Sequence, residues 1–525
     1  MVSIFGMAYY LLERFQGTPR TLIECLYFVW ITMASIGYTD EGFTGGTFIR
    51  LVTIIVGIYL VTRFIILSAH IYARVVVEEV YNLKVLNEMR KSLERAEGHY
   101  IIFGDDRELI NKIIQGLVEQ HDVYLVSEDI KLLQEFKDMY KALKYIVAKP
   151  SSAETVDLLR PEAAKCAYLL YLEDERNVLL AAMLENRVRV ISTFSGDFSH
   201  IQRFRRVGVE PISPHFSGGL KMVSVMIRPK STDFLDRFLF PVDGLLEFRV
   251  MPKRIAEGGW QYVPLAQVVD GKIRFDASSN EGTKVLAIGF KDPLSAVRKL
   301  GRLEAPDLPV RTDKFLVLGG GTIGNTIIEE LIATRREIII VEPVAAKIDS
   351  LQKRFGKDGL EFHLGTGLGK DYSLEQFDAV AICTPYDEKN FALGLDFVDT
   401  PLLRIVRAVD DDMEFHYRRI GAIPVFVGKV GSDRMLREVT NKYVNEVLHQ
   451  MLTQSYRIDQ VFITKTCTLR ELKENFPIRA IALCRENNCF FGVEDEEELQ
   501  DGDTLIVCGH VDLNKSLRIH HRLED

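Results

Sequence analysis

The apolar positions of this chain fall into two regimes: long runs near the start, then short runs at regular intervals. Met1–Leu12 carries no charge, Leu22–Ser35 is apolar apart from Glu24, and Leu51–Ile71 is apolar apart from Arg63 and His70. A helix needs roughly 20 mainly apolar residues to cross a bilayer. The third run nearly qualifies, with Arg63 reaching the interface or facing a watery cavity. The first is short, and we expect a spanning helix whose earlier turns precede Met1, with an interfacial segment over Met1–Phe15 as the alternative. No basic segment precedes it and no small-residue cleavage site follows, so a cleaved signal is not expected. From Glu78 to Glu97 charges mark one face of a helical pattern without Gly or Pro. That predicts one stiff helix leaving the membrane.

From His99 the pattern changes to short apolar strands alternating with helices, and it occurs twice. His99–Gly104 reads as a strand, Glu108–Gln120 as a helix, and Val123–Val126 as a strand ending at Ser127 and Glu128. Lys314–Gly319, Thr322–Arg335, Ile338–Val341 and Glu342 repeat the series. Ala167–Leu172 and Arg189–Ile191 continue the first half, Ala379–Cys383 and Leu402–Val406 the second. Such alternation implies parallel sheets covered by helices on both faces. Each half closes with short strands around turns, over Phe248–Phe290 and Val461–Gly509. Pro306 and Pro309, within Leu303–Thr312, mark the boundary between the halves. The expected fold is a helical membrane module over 1–75, a helical linker over 76–97, and two α/β Rossmann-like units over 98–235 and 312–445. Small α+β units follow these over 236–305 and 446–525.

Composition adds limits. A length of 525 residues suits three or four units at roughly 100–200 residues each. The net charge of −9, without a concentrated basic stripe, excludes general nucleic-acid binding. Cys25, Cys166, Cys383, Cys467, Cys484, Cys489 and Cys508 are scattered without a CxxC pair. They read as reduced cytosolic thiols, mostly packed in cores; for Cys484 and Cys489 core packing is the expected role, and a close approach of the two is the alternative.

Between the second and third apolar runs lies Thr32-Met-Ala-Ser-Ile-Gly-Tyr-Thr-Asp40. Irregular backbone at membrane depth persists only where protein buries it or it lines a water path. The carbonyl oxygens of such a loop can replace an ion's hydration shell, and Gly37 can adopt φ > 0 to turn one inward. Ser35-Ile-Gly-Tyr-Thr-Asp40 resembles the TVGYGD filter of potassium channels, and the helix–filter–helix frame is similar to their pore module. The resemblance places Ser35 at the Thr position, Ile36 at the Val, Gly37 at the first Gly, Tyr38 at the Tyr and Asp40 at the Asp. Thr39 stands where the family has its second glycine. A β-branched residue at φ > 0 is strained by on the order of 1–3 kcal/mol, which relaxes the expected potassium selectivity. Gly57 lies where the family has a gating hinge; close helix packing at a small residue is the alternative.

Gly319-Gly-Gly-Thr-Ile-Gly324 fits GxGxxG between a strand and a helix, with Glu342 closing the next strand. Gly319 makes the tight turn, Gly321 lets a pyrophosphate approach, and Gly324 lets the helix pack on the strand. The helix opening at Thr322 and Ile323 attracts phosphates. Glu342 suits ribose hydroxyls, which favours NAD or an adenine nucleotide (ADP or AMP) over NADP. Gly365, Thr366 and Thr384 are expected to line the same crevice. The first half breaks the motif at Gly104-Asp-Asp-Arg-Glu-Leu109, where Asp106 replaces the equivalent of Gly321 and repels pyrophosphate. Asp105, Asp106 and Glu128 either hold a hard cation such as calcium or serve as solvated and capping carboxylates. Asp410–Asp412 and Glu494–Glu498 read as solvated charge runs.

The two repeats resemble the RCK domain (regulator of potassium conductance), known also from the cytoplasmic subunits of Trk and Ktr transporters, across nearly all of His99–Leu517. Phe204-Arg-Arg-Val-Gly-Val-Glu-Pro-Ile-Ser213, its counterpart Tyr417-Arg-Arg-Ile-Gly-Ala-Ile-Pro-Val425, and Asp501-Gly-Asp-Thr-Leu-Ile-Val507 carry the likeness. A pore joined to two such domains looks like the tandem-RCK potassium-channel family. That resemblance implies a homotetramer in the cell membrane, in contact with the lipid bilayer. Eight cytoplasmic domains would form a gating ring that binds small-molecule nucleotides, potassium would be the permeant ion, and no enzymatic turnover is expected. Rival readings are a weakly selective cation channel, a non-conducting regulatory subunit, and a membrane-anchored NAD-dependent oxidoreductase. No His or Lys paired with a carboxylate in a recognisable motif supports the last.

Overall fold

The computed structural model describes residues 2–15, 17, 20–33, 59, 62–69, 91–195, 198–240, 244–257, 261–270, 272–275, 284–292, 298–305, 314–333, 336–356, 359–367, 377–440, 456–476, 478–486 and 488–510. Ser35, Ile36, Gly37, Tyr38, Thr39, Asp40 and Gly57 lie outside these residues, as does most of the linker pattern. The chain divides into two compact units, Met1–Arg95 and Ala96–Asp525.

In the first unit, α1 (Val2–Phe15) packs along α2 (Leu22–Met33). The approach is close because Gly6 has no side chain: a Cβ there would lie 2.5 Å from Leu26 Cδ2. Tyr9 stacks on Phe28 with ring centroids 4.8 Å apart. Residues 62–69 and 91–94 are helical, and the helical residues stop at Glu94, before the expected Glu97. Among the described residues, no helix is long and apolar enough to cross a membrane.

The second unit opens with β1 (Tyr100–Gly104), β2 (Val123–Ser127), β3 (Lys144–Val147), β4 (Cys166–Leu170) and β5 (Val190–Ser192). They form a parallel sheet in the order β3-β2-β1-β4-β5. Every residue of β1, β2 and β4 is buried, as helices on both faces require. The helix α3 (Arg107–Leu117) follows β1, α4 (Asp174–Leu184) follows β4, and α5 (Pro214–Ile227) leaves the sheet. A four-stranded antiparallel sheet comes next: β6 (Leu246–Pro252), β7 (Tyr262–Val269), β8 (Lys272–Arg274) and β9 (Lys284–Phe290), in the order β6-β9-β7-β8. Then comes β10 (Lys299–Arg302).

The second repeat contains β11 (Lys314–Leu318), β12 (Glu337–Glu342), β13 (Leu360–Leu364), β14 (Ala379–Ile382), β15 (Leu403–Ala408) and β16 (Ala422–Phe426). Its order, β13-β12-β11-β14-β15-β16, is that of the first sheet with one more strand. The helix α6 (Thr322–Ala333) follows β11, α7 (Asp387–Leu395) follows β14, and α8 (Val427–Thr440) follows β16. The chain closes with β17 (Tyr456–Phe462), β18 (Cys467–Thr468), β19 (Arg479–Arg485), β20 (Asn488–Phe491), β21 (Glu498–Leu499) and β22 (Thr504–His510).

Two expectations are corrected here. First, β10 does not join the sheet of its own half; it runs antiparallel to β20 and completes the sheet β10-β20-β19-β22-β17. One apolar core accordingly joins Phe234, Leu246, Phe290 and Leu303 to Ile458, Phe491 and Cys508. The boundary at 305 divides the sequence and not the packing, because the edge of β20 is paired by a strand from the other half. Second, Cys484 and Cys489 are not separate thiols. The β19–β20 register sets them directly opposite, with Cα atoms 4.2 Å apart, and they are joined in a disulfide.

The two repeats exchange helices. The helix α5 packs on α6 and α8, and α8 packs on α3. In that last contact the Glu108 carboxylate fills the space over Gly428, where a Cβ would come 1.7 Å from Oε1. Burial, reinforced by the charge of Asp106, pushes the Glu108 carboxyl up to about 7. The folded state therefore holds this proton more tightly than the unfolded chain, whose value is near 4.5. Its contribution to stability is complete below about 4.5 and is lost as pH rises through about 7. Thermal denaturation from pH 5 to pH 8 should show Glu108→Gln losing less stability than the parent, by on the order of 1–2 kcal/mol. Parallel pH profiles would refute this coupling.

Candidate nucleotide-binding crevice

The second repeat places the glycine loop where strand order reverses, between β11 and β14, the crevice at which open α/β sheets bind ligands. Gly319 turns the chain out of β11 with φ +109°, and its amide donates to the Val341 carbonyl at 2.9 Å. A Cβ on Gly319 would sit 3.3 Å from the Cys383 carbonyl oxygen. At Gly324 the constraint is severe, since a Cβ would lie 2.0 Å from the Gly319 oxygen. Gly321 is the opposite case: a Cβ there would meet no atom within 4 Å. This cradle is open to a ligand's phosphates. The first helical bond of α6, from Asn325 N–H to the Gly321 carbonyl at 2.8 Å, begins beside it. A helix of 12 residues directs its positive end there. Ile323 is buried within α6, and Thr322 is exposed at its start.

Glu342 underpins the loop. It is 3% exposed, and its Oε2 accepts from the Gly320 amide at 2.7 Å. Oε1 accepts from the Val344 amide at 3.2 Å and lies 3.8 Å from Lys347 Nζ. Each oxygen retains a further lone pair for a ribose hydroxyl. The Gly365 amide donates to the Glu342 carbonyl at 3.2 Å, which brings exposed Thr366 to the same rim. Cys383 lies under the loop, where burial pushes its thiol up to about 12 and keeps it uncharged.

Thr384 is buried beside the loop, its amide nitrogen 3.6 Å from where a Cβ on Gly319 would lie, and its hydroxyl is committed to Asn390. Its Oγ1 and its amide donate to Asn390 Oδ1 at 2.6 and 3.1 Å. Asn390, fully buried on α7, donates to the carbonyls of Thr384 and Arg407 at 2.9 Å and so ties the ends of β14 and β15 together. The first half has the same clamp. Asn177 accepts from the Tyr171 amide at 3.1 Å and donates to the Tyr171 and Thr193 carbonyls at 2.8 and 3.2 Å. Sequence reasoning missed this pair, although Asp174-Glu-Arg-Asn177 and Asp387-Glu-Lys-Asn390 are a visible duplication. Asn390→Ala leaves several buried backbone groups unpaired and should cost roughly 2–4 kcal/mol. Chemical denaturation of the variant checks this, and a loss below 1 kcal/mol would contradict the clamp.

The first repeat has no such cradle. Asp106 caps α3, its carboxylate accepting from the Leu109 amide at 3.1 Å, and burial raises its carboxyl above the ordinary range. Asp105 accepts from the Leu172 amide at 2.9 Å, and Glu128 is exposed. Among the described residues, no three His, Cys, Asp or Glu side chains gather to hold a metal, so the calcium expectation at Asp105, Asp106 and Glu128 has no such cluster behind it.

Residues 315–428 match the family model of the TrkA-N domain, which covers β11 through β16 and the glycine loop. A probable potassium channel protein of Methanocaldococcus jannaschii is 28% identical over 241 residues, covering 44% of this chain and 67% of that protein. The human SLO3 gating ring superposes on 79% of this chain and 99% of its own, at 11% identity with a TM-score of 0.58. That likeness is one of fold. The GsuK channel bound to NAD aligns with 99% of this chain and 97% of its own, at 16% identity with a TM-score of 0.42.

Proposed function

We propose, from the premise that this chain belongs to the tandem-RCK potassium-channel family, that it is a potassium channel opened or closed by a cytosolic nucleotide. The observation that carries the sensor is the pairing of Gly321, open to 4 Å, with the buried Glu342 beneath the loop. The loop amides and the positive end of α6 would hold a pyrophosphate. Glu342 would face the ribose of NAD, ADP or AMP while keeping Gly320 in place. The ion path is proposed on the resemblance of Ser35-Ile-Gly-Tyr-Thr-Asp40 to the potassium-channel filter, which implies a homotetramer with potassium as the permeant ion.

A nucleotide moves such a channel only by binding one gating state better than the other. A hundredfold preference corresponds to about 2.7 kcal/mol. The shared core of the closing sheets and the exchanged helices would couple that preference from one repeat to the other. The helix reaching Glu94 would carry its movement toward the pore. Regulation without turnover is the reading favoured, so NADH incubated with the protein should remain unconsumed.

Two measurements test the parts separately. Isothermal titration of the solubilised chain with NAD, ADP and AMP should show saturable binding of at least one, and silence from all three removes the sensor. Potassium efflux from liposomes tests the pore, and its absence leaves a regulatory subunit. Reversal potentials in mixed potassium and sodium would report how far Thr39 relaxes selectivity.

A further inference from the structure

A cleft of about 1160 Å³ opens between the two repeats, bounded by α5, α8 and the chain from Arg228 to Phe240. None of the glycine-loop residues lines it. Arg434 and Arg437, three residues apart on α8, share one helix face and both line this space. Arg434 donates to Ser217 Oγ at 3.2 Å, a single bond from a group with five N–H donors. The Arg437 guanidinium lies over the Phe240 ring at 5.1 Å, and its buried Nε finds no acceptor among the described residues.

The surrounding carboxylates are engaged elsewhere. Glu438 binds Arg189 at 2.8 Å, Glu210 binds Arg205 at 3.1 Å, and Asp236 pairs with Lys221. Asp233 and Glu304 hold Arg237 at 2.5 and 2.7 Å. Asp433, on the same helix, has its carboxyl pushed upward by burial, which weakens it as a counter-charge. Burial depresses both arginines, and this is opposed in part by the charges of Glu438 and Glu210 at Arg434 and of Asp433 and Asp236 at Arg437. Two neighbouring, partly buried cations that have no ion pair among the described residues are costly unless an anion joins them.

We propose that this cleft is a second ligand site, which takes a small phosphate-bearing anion on Arg434 and Arg437. Guanidinium forks match phosphate oxygens in bidentate geometry, and the cleft has room for an organic body beyond the phosphate. The site joins residues of both repeats, so an occupant would bias how they pack.

The test uses the full-length chain carrying Gly321→Asp, which is designed to remove the glycine-loop crevice. Inorganic pyrophosphate and ADP are titrated separately, distinguishing a bare phosphate ligand from a nucleotide. Saturable binding of either is expected, together with a rise in Tm. Arg434→Gln with Arg437→Gln in that background should weaken binding at least about tenfold and abolish the rise. Arg437→Lys keeps the charge and loses the fork, and should weaken binding at least about threefold. No binding of either probe to the Gly321→Asp chain would overturn the proposal, as would undiminished affinity in the double variant. If the double variant does not fold, undiminished affinity in Arg437→Lys overturns it instead. Binding that survives Gly321→Asp and falls with the arginines belongs to this cleft, whereas binding that survives both sets of substitutions overturns the proposal.

Discussion

Gly321→Asp is expected to weaken nucleotide binding by about 100-fold or more, roughly 2.7 kcal/mol, while leaving the fold unchanged. A new Cβ at Gly321 meets no atom within 4 Å, so the substitution costs no packing. Its carboxylate would occupy the space into which phosphates must come, and like charges at a few ångströms repel. At a helix N-terminus the same carboxylate is mildly favourable to the fold. Titration calorimetry with NAD, and with ADP in a chain that also carries Arg434→Gln and Arg437→Gln, beside a thermal melt, reads both effects. Retained affinity would contradict the placement of the phosphates, and a collapsed melt would contradict the open space.

Gly324→Ala, in the same motif, should behave in the opposite way. Its methyl would lie 2.0 Å from the Gly319 carbonyl oxygen, and backbone cannot yield as a flexible side chain does. Either α6 slides or the turn out of β11 opens. Overpacking of this kind costs on the order of 3 kcal/mol, so the variant should unfold early and bind poorly. Gly321→Ala is the control, expected within about 1 kcal/mol of the parent. Equal melts for the two alanine variants would show that the packing reason assigned to Gly324 is wrong.

These two glycines show what the sequence can tell. A GxGxxG between a strand and a helix, with an acid at the end of the next strand, already stated which backbone must be bare and which way the helix points. The duplication at His99 and Lys314 was legible because buried parallel strands are written as unbroken apolar runs, and β1, β2 and β4 are buried throughout. The sixth strand, Ala422–Phe426, was harder to see because Pro424 and partly buried positions interrupt its apolar run.

Partnership was not legible. Nothing in Lys299–Arg302 says that its hydrogen bonds go to Asn488–Phe490 and not to the adjacent sheet. Pairing between distant segments depends on which edge is free after folding. Cys484 and Cys489 were read as packed thiols because five-residue spacing carries no disulfide signature, whereas the hairpin register puts them face to face. The role of Asn390 was hidden for a related reason. A buried Asn is explained only by the carbonyls it reaches, and those of Thr384 and Arg407 come from two other elements.

The account turns on one coupling, from the cradle above Gly321 to a potassium-conducting pore. Single-channel recording in planar bilayers, with NAD and then ADP added to the side bearing the regulatory domains, measures it directly. Open probability should change with at least one nucleotide in the parent and respond far less in Gly321→Asp, at unaltered unitary conductance. An open probability indifferent to both nucleotides in the parent, or an equal response in Gly321→Asp, would contradict it.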